Sequence, residues 1–421
     1  MKTRFTVLMF ASLPIAAQTA PAREPVKLGN VLVQGSLRTR LEAWNWFEPD
    51  SGDGGYAYLG NIARLSFSRT SAKLDWQVEL AAPILLGLPD SALGPGAQGQ
   101  LGLGPAYYSA NDRSRNAIGI FPKQAWIRFK HNQHTVRVGR FEYMDGAETT
   151  PKNATLATVK RDRVNMRLLG HFGWLHVGRS FDGGQYSYNH RGGNFTAVGA
   201  VPTRGVFQTD GWGETHTAFG YAAYTWAWGT GKHAADTRLF ALQYHDWRQV
   251  LKTDNRVLPA RRADTDRIRV ETFGGHTVHA VETAPGTLDA LAWAAVQTGR
   301  WGTLTHRAHA IDFEAGWQPA HAGRWKPWLR GGFYDGSGDG NPADSRHGTF
   351  FQVLPTPRPF ARFPFFNMMN NRDRFGMLIL RPHPKVSASF EFPQPPAEQS
   401  GRSLVSGRRR VSAVDVRLRW P

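Results

Sequence analysis

Cysteine is absent from the 421-residue chain, which excludes a disulfide framework and any zinc or redox site built on thiolates. Long apolar runs are also missing: beyond residue 22 no stretch approaches the roughly 18 apolar residues of a membrane-spanning helix. Acidic residues are in deficit, 33 against 51 basic ones, for a formal net charge of +18, and 40 of the 51 are arginine. That excess favours sites gripping carboxylate or phosphate through a planar fork of donors. It leaves nucleic acid, an anionic lipid surface or an acidic saccharide as partner classes. No Gly-x-Ser-x-Gly elbow and no helix-backed, Gly-rich phosphate loop is present.

The N-terminus narrows the compartment. Lys2 and Arg4 precede an apolar segment, Phe5 to Leu13, and small residues follow as far as Ala22. Residues 1–22 read as a cleaved secretory signal peptide, with the cut anywhere from after Ala17 to after Ala22. Export argues against a nucleic-acid partner. An exported chain without a spanning helix is periplasmic, secreted, or an outer-membrane barrel.

Residues 23–421 read almost entirely in period two. Val31, Val33, Leu37 and Leu41 fall on one face and Gln34, Ser36, Arg38, Arg40 and Glu42 on the other. Leu74 to Ala81, Gln124 to Lys130 and Val414 to Trp420 repeat the alternation. Alternation alone fits a soluble β-sandwich as well. Three features favour a transmembrane barrel. Strand signals recur along the whole chain without a linker. The polar faces carry charge, as a water-filled interior requires. Aromatics gather at expected strand ends: Trp44 to Phe47, Tyr221 to Trp228, Trp325 and Trp328. Long Gly/Pro-rich loops are expected near 83–116 and 336–369, against short links such as 131–134. The fold expected is an all-β, antiparallel up-and-down barrel of about 16–18 strands in the bacterial outer membrane.

The stretches Leu37 to Glu42, Val136 to Glu142, Phe181-Asp182-Gly183, Gly336 to Asp339, Gly348 to Thr356 and Arg381-Pro382 together resemble the alginate-export family of outer-membrane barrels. The similarity runs from about residue 27 to the end. It implies about eighteen strands and passage of a polyuronate through a positive pore, although members of the family need not handle alginate itself. The end Arg419-Trp420-Pro421 departs from the family's aromatic-ended last strand. Either Trp420 is the terminal aromatic or a closing hairpin is missing.

The functional candidates are arginines on or near the polar phase: Arg38, Arg40, Arg64, Arg128, Arg137, Arg330, Arg372, Arg374, Arg417 and Arg419. Arg362, in the aromatic segment Arg358 to Phe366, joins them if that loop folds inward as a constriction. In a lumen they would hold carboxylates at several weak sites, as conduction requires. The competing expectation is that they pair with Asp75, Glu79, Asp312, Glu314 and Asp415. Asp335, Ser337, Asp339 and Asn341 have alternate oxygen donors like the start of a calcium loop, without the glutamate that would complete it. A Gly/Asp-rich external turn explains them equally well. Asp312 and Glu314 read as ion-pair partners rather than glycosidase acids. His131/His134 and His306/His309 have ligand-like spacing but lie at turns or strand starts. No catalysis and no cofactor other than that calcium is expected. The partners expected are acidic saccharides or other small anions, outer-membrane lipid and lipopolysaccharide, with a periplasmic export partner left open. The alternative reading is a secreted β-rich enzyme or lectin acting on acidic polysaccharide.

Overall fold

The computed structural model describes residues 26–45, 55–92, 102–204, 206–356, 368–383, 386–394 and 413–418. The expected signal peptide, Arg358 to Phe366 and Arg419 to Pro421 lie outside them. Among the described residues one sheet contains 19 strand segments. Asn116–Ile118 and Phe121–His131 pair with the same neighbour, Leu74–Leu86, and are two parts of one strand, which leaves 18 strands. Fifteen of these form an unbroken antiparallel meander from Val31–Trp44 to Val386–Gln394. Two short strands flank it, Val26–Leu28 and Ala413–Leu418, each antiparallel to its neighbour. The two therefore run in the same direction, the one required of a strand closing the sheet. The last is the two-residue Arg346–His347, parallel to Leu304–Pro319.

The polarity of this sheet is inverted relative to a soluble protein. On Leu304–Pro319, Phe313 is 53% exposed while its neighbours Asp312 and Glu314 are 0% and 4% exposed. Leu37, Leu41, Val138, Leu239, Phe273 and Val296 repeat the outward apolar phase. Exposed alternate apolar side chains around charged inward ones define a membrane barrel, and a soluble enzyme or lectin does not have them. Ile268–Thr283, Gly286–Trp301 and Leu304–Pro319 have 16 residues each, roughly 53 Å of strand, more than the membrane requires.

Connections sort by length. At one end lie the hairpins His131–His134, His190–Gly193 and Thr283–Gly286. At the other lie long segments after Leu86, Phe141, Pro202, Asp246 and Gly336. The short-turn end is the periplasmic one by barrel convention. The exception is the tight hairpin Trp301–Leu304 at the long-loop end. There Gly302 has φ +62, and a side-chain carbon would collide with the Asp264 carboxylate that caps the turn.

An outward aromatic cluster marks the periplasmic interface. His134 stacks with Tyr186 and Tyr188, His190 with Tyr224, and His233 with His279 beside Trp228. Trp328 and Tyr221, expected in such a girdle, instead point inward and are buried. Their polar tips reach Asp289 (2.7 Å) and Glu148 (2.8 Å), partners that interface water would otherwise supply.

Candidate functional site

The interior is not a simple water-filled tube. After strand His134–Phe141 the chain turns inward and crosses the lumen before rejoining the wall at Phe181–His190. Asn153 caps a short helix, Ala154–Val159, by accepting from the backbone N–H of Thr155 and Leu156. A π-helical turn, Lys160–Val164, follows. Leu156, Val159, Val164, Leu168 and Leu169 bury an apolar face against Trp293, Phe350 and Val353.

The same segment sends cations to the wall. Lys160 Nζ lies 3.0 Å from Asp236, Arg163 Nε donates to Glu314 at 2.8 Å, and Arg167 donates to Asp312. In return Glu148 accepts from Arg238 at 3.3 Å, and Arg330 bridges Asp289 and Glu314. All are nearly or fully buried, so each charge is held by its partner rather than by water. Asp145 accepts from the backbone N–H of Leu168 and Leu169, pinning the turn. Burial, partly offset by Arg238, pushes its carboxyl up to about 6. Burial also holds the Lys160 ammonium and the His176 imidazole below their usual values.

The tail of this segment touches the opposite wall. Arg38 donates to the carbonyls of Gly173 (3.2 Å) and Leu175, and Arg40 to that of Trp174 (2.7 Å). His176 sits 3.5 Å from Glu42 and directly over Gly60. Arg64 approaches Glu79 (3.3 Å) and Glu142 (3.7 Å). Toward the periplasmic end, Arg128 and Lys130 share Asp75 at 2.5 and 2.8 Å. Among the described residues Arg137 has no carboxylate partner. It donates to Gln185 at 2.5 Å and lies 4.1 Å above the Phe141 ring.

Arg38, Arg40, Arg64, Arg128 and Arg137 thus share the lumen face of adjacent strands and keep part of their surface accessible. With Lys123 and Lys130 they make seven cations. Four carboxylates face them: Glu42, Asp75, Glu79 and Glu142. Arg330 is also inward but is consumed by its two carboxylates.

Arg372 and Arg374 were expected in the lumen and are not there. Trp328–Gly336 pairs with Asn371–His383 so that Phe375 and Asp373 share the inner face with Tyr334. Arg372 and Arg374 therefore point outward, Arg372 to Asp335 at 2.5 Å and Arg374 over the Phe333 ring. Residues 375–380 are apolar in both phases, so alternation did not reveal the phase. Arg417 pairs in register with Ser387, Asp415 with Ser389, and the side chains of 413–418 lie outside the described set, as do Arg362 and Arg419.

Of the calcium candidates, Asp335 is engaged by Arg372. Ser337 donates to the carbonyl of Gly348, and Asp339 and Asn341 accept turn N–H groups two residues on. Among the described residues no three His, Cys, Asp or Glu side chains gather as metal ligands. His306, whose spacing from His309 is ligand-like, meets His347, Nδ1 to Nδ1 at 2.8 Å.

The residues missed from sequence are Lys160, Arg163, Arg167, Asp145, Glu148, Asp236 and Arg238. One signal was available: Leu156, Val159, Arg163 and Arg167 recur at helical spacing after an Asn cap, inside a chain of strands.

Inverted sheet, short and long ends and an inward loop together define an outer-membrane barrel of porin architecture. No family model matches the chain, and no curated protein matches it. Solved structures do. Pseudomonas aeruginosa OccK9 (OpdG) superposes with a TM-score of 0.52 at 11% identity, covering 86% of this chain and 82% of that one. The P. aeruginosa outer membrane protein opdK gives 0.51 at 10%, covering 88% and 83%. A BenF-like porin from Pseudomonas fluorescens gives 0.51 at 11%, covering 86% and 82%. The shared property is the fold. That fold is the one of outer-membrane barrels, and it does not support the narrower alginate-export resemblance.

Proposed function

We propose that the protein is a passive outer-membrane channel for small anionic solutes, with carboxylate-bearing sugars of the uronate type as the preferred class. One observation carries this reading. On the wall from Val31–Trp44 to His134–Phe141, seven cations, six of them partly accessible and Lys123 buried beside Glu142, face four carboxylates. They are strung from Arg40 toward the long-loop end to Arg128 and Lys130 near the short-turn end, so a carboxylate can pass between several weak donors rather than stop at one. The segment crossing the lumen narrows the passage, which favours single sugars or short oligomers over a polymer.

The test is the reversal potential of single channels in a planar bilayer under a KCl gradient, followed by glucuronate addition. Preference for chloride and current block by glucuronate are expected. Arg64→Gln, Arg128→Gln and Arg137→Gln together cancel the surplus of three and should bring selectivity close to neutral. A cation-preferring wild-type channel would refute the proposal.

A further inference from the structure

A second concentration of arginine lies on the outside of the barrel. On Ile268–Thr283, Gly286–Trp301 and Leu304–Pro319, exposed Phe273, Val296 and Phe313 mark the lipid-facing phase. Followed toward the long-loop end, the same phase changes to Arg269, Arg300 and Arg307. Arg269 and Arg300 are directly paired across the sheet, and Thr305, opposite Arg300, is two residues from Arg307. Like charges placed directly opposite on one sheet face are destabilising unless an anion sits between them. Arg346 donates to the backbone carbonyl of Arg307 at 3.3 Å and brings a fourth guanidinium alongside. His245 is in register opposite Arg269.

One carboxylate, Glu271, shares this face in register with Thr298. Asp335, further round, is taken by Arg372. Among the described residues, the side chains of Arg269, Arg300 and Arg307 have neither an ion-pair nor a hydrogen-bond partner. Arg269 lies four residues beyond Phe273, and Arg300 four beyond Val296. That is about 13 Å along the strand and about 10 Å along the membrane normal at the usual tilt. The cluster therefore stands at headgroup height above acyl chains, in the leaflet on the long-loop side.

We propose that Arg269, Arg300 and Arg307, with Arg346 alongside, bind the phosphate groups of a phosphorylated outer-leaflet glycolipid of the lipid A type. Guanidinium forks match phosphate oxygens bidentately, and one phosphate between Arg269 and Arg300 relieves their repulsion. A membrane glycolipid is favoured over free phosphate because the arginines continue the lipid-facing phase, where acyl chains contribute binding that a soluble ion lacks.

The experiment uses the full chain refolded in detergent free of lipopolysaccharide, then titrated with purified lipopolysaccharide and followed by native mass spectrometry. The R269Q/R300Q/R307Q variant should bind about ten-fold more weakly or worse, since even one lost charge-assisted contact is worth that factor. K232Q/R324Q/K326Q, which removes the same charge at the short-turn end, should bind like wild type. Dephosphorylated lipopolysaccharide should bind wild type as weakly as the intact lipid binds the first variant, and millimolar inorganic phosphate should not compete. Equal binding of phosphorylated and dephosphorylated lipid by wild type would overturn the proposal even if a variant failed to fold. So would full affinity in a first variant with normal heat-modifiable migration, or displacement by inorganic phosphate alone. Channel selectivity in that variant should be unchanged, which keeps this result separate from the lumen reading.

Discussion

Replacing Arg167 by methionine tests whether the lumen-crossing segment is held by its ion pairs. Arg167 is fully buried, donates to Asp312 and to the Arg163 carbonyl (2.6 Å), and lies 5.0 Å over the Trp293 ring. Methionine keeps most of the volume but strands the Asp312 carboxylate without its charge partner. Removing one member of a buried pair costs about 3–5 kcal/mol, because the remaining charge stays desolvated. If residues 154–169 open locally, their hydrogen exchange should accelerate by at least two orders of magnitude, at about 1.4 kcal/mol per factor of ten. Exchange measured by mass spectrometry on the folded barrel reads this directly. Asp312→Asn in the Arg167→Met background should recover part of the protection, with coupling of about 0.5–3 kcal/mol. Unchanged exchange in Arg167→Met, with heat-modifiable migration retained, would mean that apolar packing alone holds the segment.

Two further perturbations follow from the same geometry. A side-chain carbon at Gly60 would collide with the His176 ring, so Gly60→Ala should displace the 173–176 tail at a cost of about 1–3 kcal/mol and raise single-channel conductance. Unaltered conductance would show that the tail does not limit the passage. His347 is buried against His306 and stacked on Trp301 at 4.4 Å, and burial pushes its pKa down from 6.5 to about 4. The unfolded imidazole binds more protons across that interval. The anchorage of residues 337–356 should therefore be complete above about pH 6.5 and lost progressively as pH falls toward 4. Limited proteolysis of this segment at pH 7 and pH 5 should show the difference, and His347→Gln should reduce it.

Sequence patterning carried the sheet further than the site. Where alternation is strict, as at 31–42, 74–81 and 124–130, a single residue fixes the phase of the strand, and Arg38, Arg40 and Arg128 fall in the lumen as that phase requires. Asn371–His383 is different: Met377 and Ile379 are inward while Leu378 and Leu380 are outward, because buried packing inside a partly filled barrel accepts the same residues as lipid does. The inward segment was missed for another reason. Arg163 and Glu314 are 151 residues apart, and Arg167 and Asp312 are 145 apart. No local pattern encodes such pairs, and a cationic helical turn reads equally well as an exposed one. Asp312 and Glu314 were legible as ion-pair partners, but not as partners of a loop.

The location of the charge follows from where water remains. On the filled side of the barrel, Lys160, Arg163, Arg167, Arg238 and Arg330 meet Asp145, Glu148, Asp236, Asp289, Asp312 and Glu314, five cations against six carboxylates. Buried charge has to be matched, because an unpaired ion in a desolvated site costs several kcal/mol. That half therefore has no cationic surplus with which to attract an anion. The other wall holds three more cations than carboxylates: Lys123 is buried 3.6 Å from Glu142, and the remaining six keep part of their surface in water, which screens their repulsion. The outer face can do so where lipid phosphate neutralises it. The crossing segment thus does more than narrow the passage: by matching charge on one wall it confines the cationic surplus to the other, and under the proposed function a solute's carboxylate follows the line from Arg40 to Arg128.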